Sequence, residues 1–342
     1  MEKGRHQTFN KDSLCNQGPH CKEMADSTED DTLIQHLAPV SLQIITLIPG
    51  LAIHTFITGV NVNDWWKGRS VTSVDHIVTS LAISRMCTQF VNALYYFVLT
   101  FCARSLDSEI PLLVIDMFYL FFNHSSFWLS SLLSIVFCLK ISILRTRLFL
   151  YLRRVMLPRT AHFIAASGLL AAFSSILHLC MVLNVMIEPR TYNITMNNSN
   201  TDCMYAQRIY NFTIGSCMPI IFNFIASILL FSSLYHHTVK MKRSSNLSIN
   251  LETYYSAMKF VSFIFIYSAV YFIGHSVSIF YYYFYCINLP LLYIFLDFLP
   301  VLHSSYLIYR TVKLRSQMSK VLQHVINFLL QGKDSENENV VA

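Results

Sequence analysis

Seven apolar segments, each long enough to cross a lipid bilayer, follow one another along this chain. A helix needs about 20 apolar residues to span the hydrocarbon core of a bilayer. Backbone N–H and C=O groups find no water inside lipid, and the segments lack the period-2 alternation of barrel strands, so we expect helices. The segments cover residues 37–62, 74–101, 112–143, 160–187, 212–235, 258–284 and 289–309.

The composition supports a membrane protein. Hydrophobic residues make up 54% of the chain and charged residues only 13%, whereas a soluble domain carries about 25% charged residues. We therefore expect an all-α membrane protein folded as a seven-transmembrane helix bundle. Residues 1–36 form a polar extracellular leader for which we expect no stable structure. Residues 37–309 form the helix domain, and residues 310–342 form a cytoplasmic tail.

Lysine and arginine determine the predicted orientation, because basic loops remain on the cytoplasmic side of a membrane. With the amino terminus outside, 17 of the 25 Lys and Arg residues fall on the inner side. The loop after the fourth segment also holds three glycosylation sequons, which are usable only on the outer face. Both arguments place the amino terminus outside and the carboxyl terminus inside. The candidate glycosylation sites are Asn193, Asn197 and Asn211.

The tail carries a helical pattern of apolar residues. Between residues 313 and 330 they recur at helical spacing among Arg315, Lys320 and His324. This pattern predicts an amphipathic helix that lies on the inner leaflet. We expect the residues after Gly332 to form a polar tail.

One arginine interrupts the second apolar segment. An arginine near the centre of a membrane helix costs about 2.5–3.5 kcal/mol on insertion scales, so Arg85 must find partners within the bundle. Two interpretations are equally open. Arg85 is either a polar hub whose hydrogen bonds rearrange during switching, or a static clamp on backbone carbonyls.

Two further groups of polar residues lie within the apolar segments. Asp116, Tyr119 and Asn123 share one face of the third helix, toward its outer half. Asp297 lies in the seventh, with Tyr293 one turn before it. A carboxylate is costly in lipid, so these residues predict a cavity that opens outward, where a cationic ligand could pair with a carboxylate. The alternative for the tyrosines is aromatic packing or an interfacial belt.

Catalytic motifs are missing from the sequence. It contains no Cys-x-x-Cys pair, no His-Glu-x-x-His, no Gly-rich phosphate loop and no Gly-x-Ser-x-Gly. We therefore expect a protein that is not an enzyme and that uses no cofactor, no metal and no nucleic-acid partner.

Several longer stretches resemble one known family. They are VNVNDWWKGRSVTSVDHIVTSLAISR (60–85), NHSSFWLSSLLSIVFCLKIS (123–142), SSLYHHTVKM (232–241), AMK (257–259) with VYF (270–272), and PVLHSSYLIYRTVKLR (300–315). In this order and spacing they resemble the type 2 (bitter) taste receptors, a family of G-protein-coupled receptors. The chain departs from the family pattern at His54, where the family has Asn, and at Val136, Tyr119 and Tyr254. It is identified as a divergent member.

The resemblance implies roles for particular residues. Tyr119 and Asn123 would line the ligand pocket, Tyr271 would be the switch aromatic beneath the ligand, and Tyr293 would be a contact from the seventh helix. Asp116 and Asp297 join this set from their position in the apolar segments. The inner network and the G-protein face would comprise Arg85, Lys140, His237, Lys259, His303 and Ser304.

The expected function is that of a plasma-membrane chemosensory receptor. It would bind small bitter compounds in an outward-facing helical pocket and activate a gustducin-like heterotrimeric G protein. One alternative is another seven-helix chemoreceptor, such as a vomeronasal-type pheromone receptor. A small-molecule transporter is the other, but the chain shows no internal repeat and no matching pair of broken helices.

Overall fold

The structure, a computed structural model, describes residues 29–102, 110–142, 146–187, 213–243, 248–285 and 289–341. The predicted glycosylation sites Asn193, Asn197 and Asn211, and most of the leader, lie outside these residues. The described part of the chain forms nine α-helices. They are α1 (Glu29–Trp66), α2 (Ser73–Phe97), α3 (Ile110–Ile141), α4 (Arg147–Met156), α5 (Thr160–Ile187), α6 (Met218–Arg243), α7 (Ser248–Tyr285), α8 (Pro290–Arg310) and α9 (Val312–Val341).

The seven predicted spans correspond to α1, α2, α3, α5, α6, α7 and α8, which confirms the predicted helix bundle. Short π-helical turns at Val98–Cys102 and Thr213–Cys217 extend α2 outward and lead into α6. Helices α1 and α7 begin eight and ten residues before their apolar windows. This difference arises because a helix can continue past the hydrocarbon core into the headgroup region.

Within the described residues, five helices carry a stretch long and apolar enough to cross a membrane, namely α1, α3, α5, α6 and α7. Helices α2 and α8 carry buried polar residues such as Arg85, Gln89 and His303. These two helices supply much of the polar interior of the bundle.

Helix α3 occupies the centre of the bundle, where it packs against α2, α5 and α6. The ring continues from α6 to α7, from α7 to α8, from α8 back to α1 and from α1 to α2. The larger apolar core lies in the inner half and includes Ile57, Ile77 and Leu133. A smaller cluster forms around Tyr271 and Leu296, so apolar packing is most extensive near the cytoplasmic side.

Helix α4, in the second inner loop, was not predicted. Thr146 caps it by accepting a hydrogen bond from the Phe149 N–H at 3.4 Å, and Phe149 and Met156 are buried. Their spacing of seven residues is the sequence signal that would have indicated a helix packed on the bundle.

Helix α9 confirms the predicted amphipathic helix and continues through the residues expected to form a polar tail. It is tied to the inner end of α1, just before the turn to α2, because Lys313 Nζ lies 2.9 Å from both Asn61 Oδ1 and Asp64 Oδ2. Arg69 pairs with the same carboxylate at 2.8 Å. The turn itself requires Gly68, whose φ of 66° suits glycine.

Candidate functional site

Arg85 of α2 is almost completely buried and binds two other helices. Its Nη1 donates to Ser304 Oγ at 2.8 Å and to the Pro300 carbonyl at 3.3 Å, and hydrogen-bonds His303 Nδ1 at 2.9 Å. Its Nη2 donates to Ser130 Oγ on α3 at 3.2 Å. Of these four partners only one is a backbone carbonyl. The geometry therefore departs from a clamp made purely of backbone groups, and side chains of α3 and α8 hold most of the guanidinium.

Helix α1 joins this network through His54. The His54 ring is fully buried, and its Nε2 hydrogen-bonds Ser304 Oγ at 3.0 Å. His54 stands where the taste receptor pattern has Asn. It is connected to Arg85 through the shared Ser304 hydroxyl, so the substitution preserves a polar link between α1, α2 and α8.

A small polar cavity of about 30 Å³ adjoins this network. It brings together three of the predicted ligand residues, Asn123, Tyr271 and Asp297, with Arg85. A space of this size holds about two water molecules. In this arrangement of the side chains, the cavity is a small polar space enclosed by α2, α3, α7 and α8.

The Asp297 carboxylate lies at the outer side of the network. Its Oδ2 accepts a hydrogen bond from Asn92 Nδ2 at 2.7 Å. Asn92 follows Arg85 by seven residues on α2, which corresponds to about 10 Å along a helix. Within the described residues, no direct ion pair joins Asp297 and Arg85, although both line the cavity. The cavity therefore has a carboxyl group on one side and a guanidinium group on the other.

Aromatic rings of α7 connect the cavity with the Arg85 network. The Tyr271 ring centroid lies 5.1 Å from that of Phe127 and 4.6 Å from that of His275. One turn inward, Tyr267 packs 6.1 Å from Tyr271 and 4.7 Å from His303. A displacement of Tyr271 would thus be passed by direct contact to a partner of Arg85.

The remaining predicted ligand residues take different positions. Tyr119 lies close enough to Asp297 and Tyr271 to interact electrostatically with both, and Tyr293 lies on α8 one turn before Asp297. Asp116 instead faces α5, where its Oδ2 lies 3.3 Å from His178 Nε2. The structure therefore separates the two carboxylates that the sequence grouped together.

The residues predicted for the inner network and the G-protein face also fall into two groups. Arg85, His303 and Ser304 meet in one network. Lys140, His237 and Lys259 are spread over the inner ends of α3, α6 and α7, where Lys140 and Lys259 are exposed and His237 is half-buried.

Sequence reasoning missed several polar residues that line the cavity or bond one of its lining residues. On α2, Thr88, Gln89 and Asn92 follow Arg85 at spacings of three, four and seven residues, which places them on one helical face. On α3, Ser126 and Ser130 continue the face that carries Asn123. This periodicity of polar residues inside apolar segments is the signal that would have identified them.

Comparison with known proteins agrees with this architecture. Two similar curated proteins are taste receptor type 2 member 7 of Papio hamadryas, 30% identical over 85% of this chain and 94% of that protein, and taste receptor type 2 member 4 of Gorilla gorilla gorilla, 28% identical over 71% and 80%. The crystal structure of squid rhodopsin has the same fold, with a TM-score of 0.59 and 15% sequence identity over 90% of both chains.

The family itself follows from a match over most of the chain. The sequence profile described as Taste receptor protein (TAS2R) matches residues 33–326. This match supports the taste receptor expectation over the pheromone receptor and transporter alternatives. The protein is a multi-pass membrane receptor and not an enzyme, and its partners are a ligand and a G protein. The chain belongs to the taste receptor (TAS2R) family of chemosensory G-protein-coupled receptors.

Proposed function

We propose that this receptor binds small bitter compounds at the cavity between α2, α3, α7 and α8 and activates a gustducin-like heterotrimeric G protein. The observation that supports this most strongly is that Asn123, Tyr271 and Asp297 line one cavity together with Arg85. A site of this kind combines polar groups that orient a ligand with aromatic surface that binds its apolar part.

The size of the cavity suggests how a ligand would activate the receptor. Small-molecule sites usually measure about 300–1,000 Å³, far more than the space described here. A bitter compound would therefore bind only when the side chains and helices that line the cavity move apart. Its higher affinity for the widened arrangement would supply the free energy of switching.

The contacts of Tyr271 provide a route for this change to the cytoplasmic side. Tyr271 reaches Tyr267, Tyr267 packs on His303, and His303 hydrogen-bonds Arg85. A widened cavity would shift these rings and alter the packing of α7 on α8. The inner ends of α3 and α6, with Lys140 and His237, would then contact the G protein.

Asp297 would favour ligands that carry a positive charge. Asn92 Nδ2 donates a hydrogen bond to Asp297 Oδ2 at 2.7 Å, and a carboxylate can accept further hydrogen bonds. A protonated amine at this position would form a charge-assisted hydrogen bond, which is about twice as strong as a neutral one.

This proposal is tested by Asp297→Asn in cells that report receptor activation as a calcium signal through a promiscuous G protein. The half-maximal concentration of cationic bitter agonists should rise about 10-fold or more, because a hydrogen bond to a charged group contributes about 1.5–3 kcal/mol. Neutral agonists should change much less. Equal shifts for both classes would contradict the role of the carboxylate.

The matched control is Asp116→Asn, which removes a carboxylate that pairs with His178 on α5 instead of lining the cavity. It should not discriminate between cationic and neutral agonists. Coupling is tested separately by replacing the promiscuous G protein with a gustducin-type α subunit. Loss of the response with that subunit alone would reject the gustducin proposal and leave the ligand site intact.

A further inference from the structure

A groove of about 550 Å³ lies on the perimeter of the bundle, in its inner half. Phe231 and Tyr235 of α6 form one wall, Tyr306 of α8 contributes to the other, and α7 forms the floor. Tyr235 and Ile266 are 58% and 60% exposed, and both belong to apolar stretches that can span a membrane. Apolar side chains that remain exposed in a membrane span contact lipid, so the groove opens toward the acyl chains of the inner leaflet.

Lys259 lies on this lipid-facing floor. It precedes Ile266 by seven residues and therefore shares its helical face, and its side chain is exposed. Its position is one turn inside the apolar stretch Tyr255–Ser278. Among the described residues, no carboxylate forms an ion pair with Lys259. A lysine at this depth extends its ammonium group to the headgroup region, where the available anions are lipid phosphates.

Further basic residues lie at the inner ends of α6 and α8, the two helices on either side of α7. The Arg310 guanidinium at the end of α8 donates to Ser256 Oγ and lies 5.8 Å from the centroid of the Phe260 ring. Ser256 and Phe260 flank Lys259 on α7. Helix α6 ends with Lys240, Lys242 and Arg243. Three helices therefore bring positive charge to the same end, on the side where the anionic lipids of a cell membrane are concentrated.

We propose that this groove is a binding site for one anionic phospholipid of the inner leaflet. The lipid phosphate binds Lys259, and an acyl chain lies along Phe231, Tyr235 and Ile266. Charge complementarity favours an anionic headgroup, since the phosphate of a zwitterionic lipid is offset by its own ammonium group and a sterol carries no anion. The aromatic and aliphatic lining selects a chain-bearing molecule over a soluble phosphate. The site is independent of the bitter ligand and of the choice of G protein.

The test measures lipid retention by the purified full-length receptor, taken from nanodiscs of phosphatidylcholine and phosphatidylserine and analysed by native mass spectrometry. The wild type should retain phosphatidylserine in preference to phosphatidylcholine. Lys259→Gln should lower the retained phosphatidylserine about fivefold, the factor that corresponds to about 1 kcal/mol for one lysine at a membrane surface. Lys259→Arg should preserve retention.

The charge-matched control is Lys67→Gln, which removes an exposed lysine in the turn after α1 and should leave phosphatidylserine retention unchanged. Ser262→Phe, which fills the floor of the groove, should lower retention with the charge intact. Equal retention by the wild type and Lys259→Gln, or displacement of the lipid by millimolar inorganic phosphate, would overturn the proposal.

If Lys259→Gln does not fold, an experiment on the wild-type receptor alone still tests the lipid site. A photoreactive phosphatidylserine with its reactive group on the acyl chain should label α6 and α7 peptides that contain Phe231 or Ile266. Labelling confined to other helices would refute the site.

Discussion

The Ser304 hydroxyl is a single group shared by three helices. It accepts a hydrogen bond from Arg85 of α2 and bonds the His54 ring of α1, while its own backbone belongs to α8. A hydroxyl has one donor hydrogen and two acceptor lone pairs, so it can serve both partners at once. Removing this one hydroxyl would therefore take a hydrogen-bond partner from both Arg85 and His54.

This sharing predicts coupling between His54→Ala and Ser304→Ala. Both substitutions remove the same hydrogen bond, so the double variant should lose less stability than the sum of the single losses. The interaction energy should be about 0.5–3 kcal/mol, measured by denaturation of the purified receptor in detergent. Ser126→Ala is the control, because Ser126 bonds Ser84 and the Phe122 carbonyl instead. The stability losses of Ser126→Ala and His54→Ala should therefore be additive. Strict additivity of the first pair would show that the shared hydroxyl contributes no coupling.

The π-helical turn before α6 packs so closely against α3 that the contact requires a glycine. A Cβ at Gly215, in the π-helical turn before α6, would overlap the ring of His124 on α3. The His124 ring cannot turn aside freely, because its Nδ1 hydrogen-bonds Ser174 Oγ of α5 at 2.5 Å. Helices α3 and α5 and the turn before α6 therefore meet at Gly215, where there is no room for a side chain.

We expect Gly215→Ala to destabilise the receptor by about 1–3 kcal/mol, the usual cost of an overpacked interior. A lower melting temperature of the purified receptor would report this effect. Gly168→Ala on α5 is the matched control, since nothing lies within 4 Å of its added Cβ, and it should be neutral or slightly stabilising. In a His124→Ala background, where the ring is absent, Gly215→Ala should cost little further stability. An undiminished cost in that background would point to backbone strain instead of the steric contact.

The two halves of the molecule differ in packing and charge. The inner half contains the larger apolar core and the basic ends of α3, α6 and α8, whereas the centre and outer half contain the polar cavity and the Asp116–His178 pair. Helices α2 and α8 supply most of the polar network. This division suits a receptor that admits a ligand from one side and contacts a protein on the other.

The predicted orientation is tested on intact cells. An epitope inserted at the turn between α4 and α5, next to Arg159, should be stained only after the membrane is permeabilised, because its basic residues face the cytosol. An epitope at the amino terminus should be stained without permeabilisation. The opposite staining pattern would invert the receptor and refute both the ligand site and the inner-leaflet lipid site.

The sequence by itself determined the seven spans, the amphipathic helix and the family, and it predicts the orientation in the membrane. These features depend on local chain properties, namely apolar length against bilayer thickness, the distribution of lysine and arginine, and helical periodicity. Only the tertiary structure decided which polar residues meet. Asp116 and Asn123 share one face of α3, yet Asp116 pairs with His178 of α5 and Asn123 lines the cavity with Asp297 of α8. The physical reason is that periodicity fixes the face on which a side chain lies, whereas helix packing fixes the neighbour that this face meets.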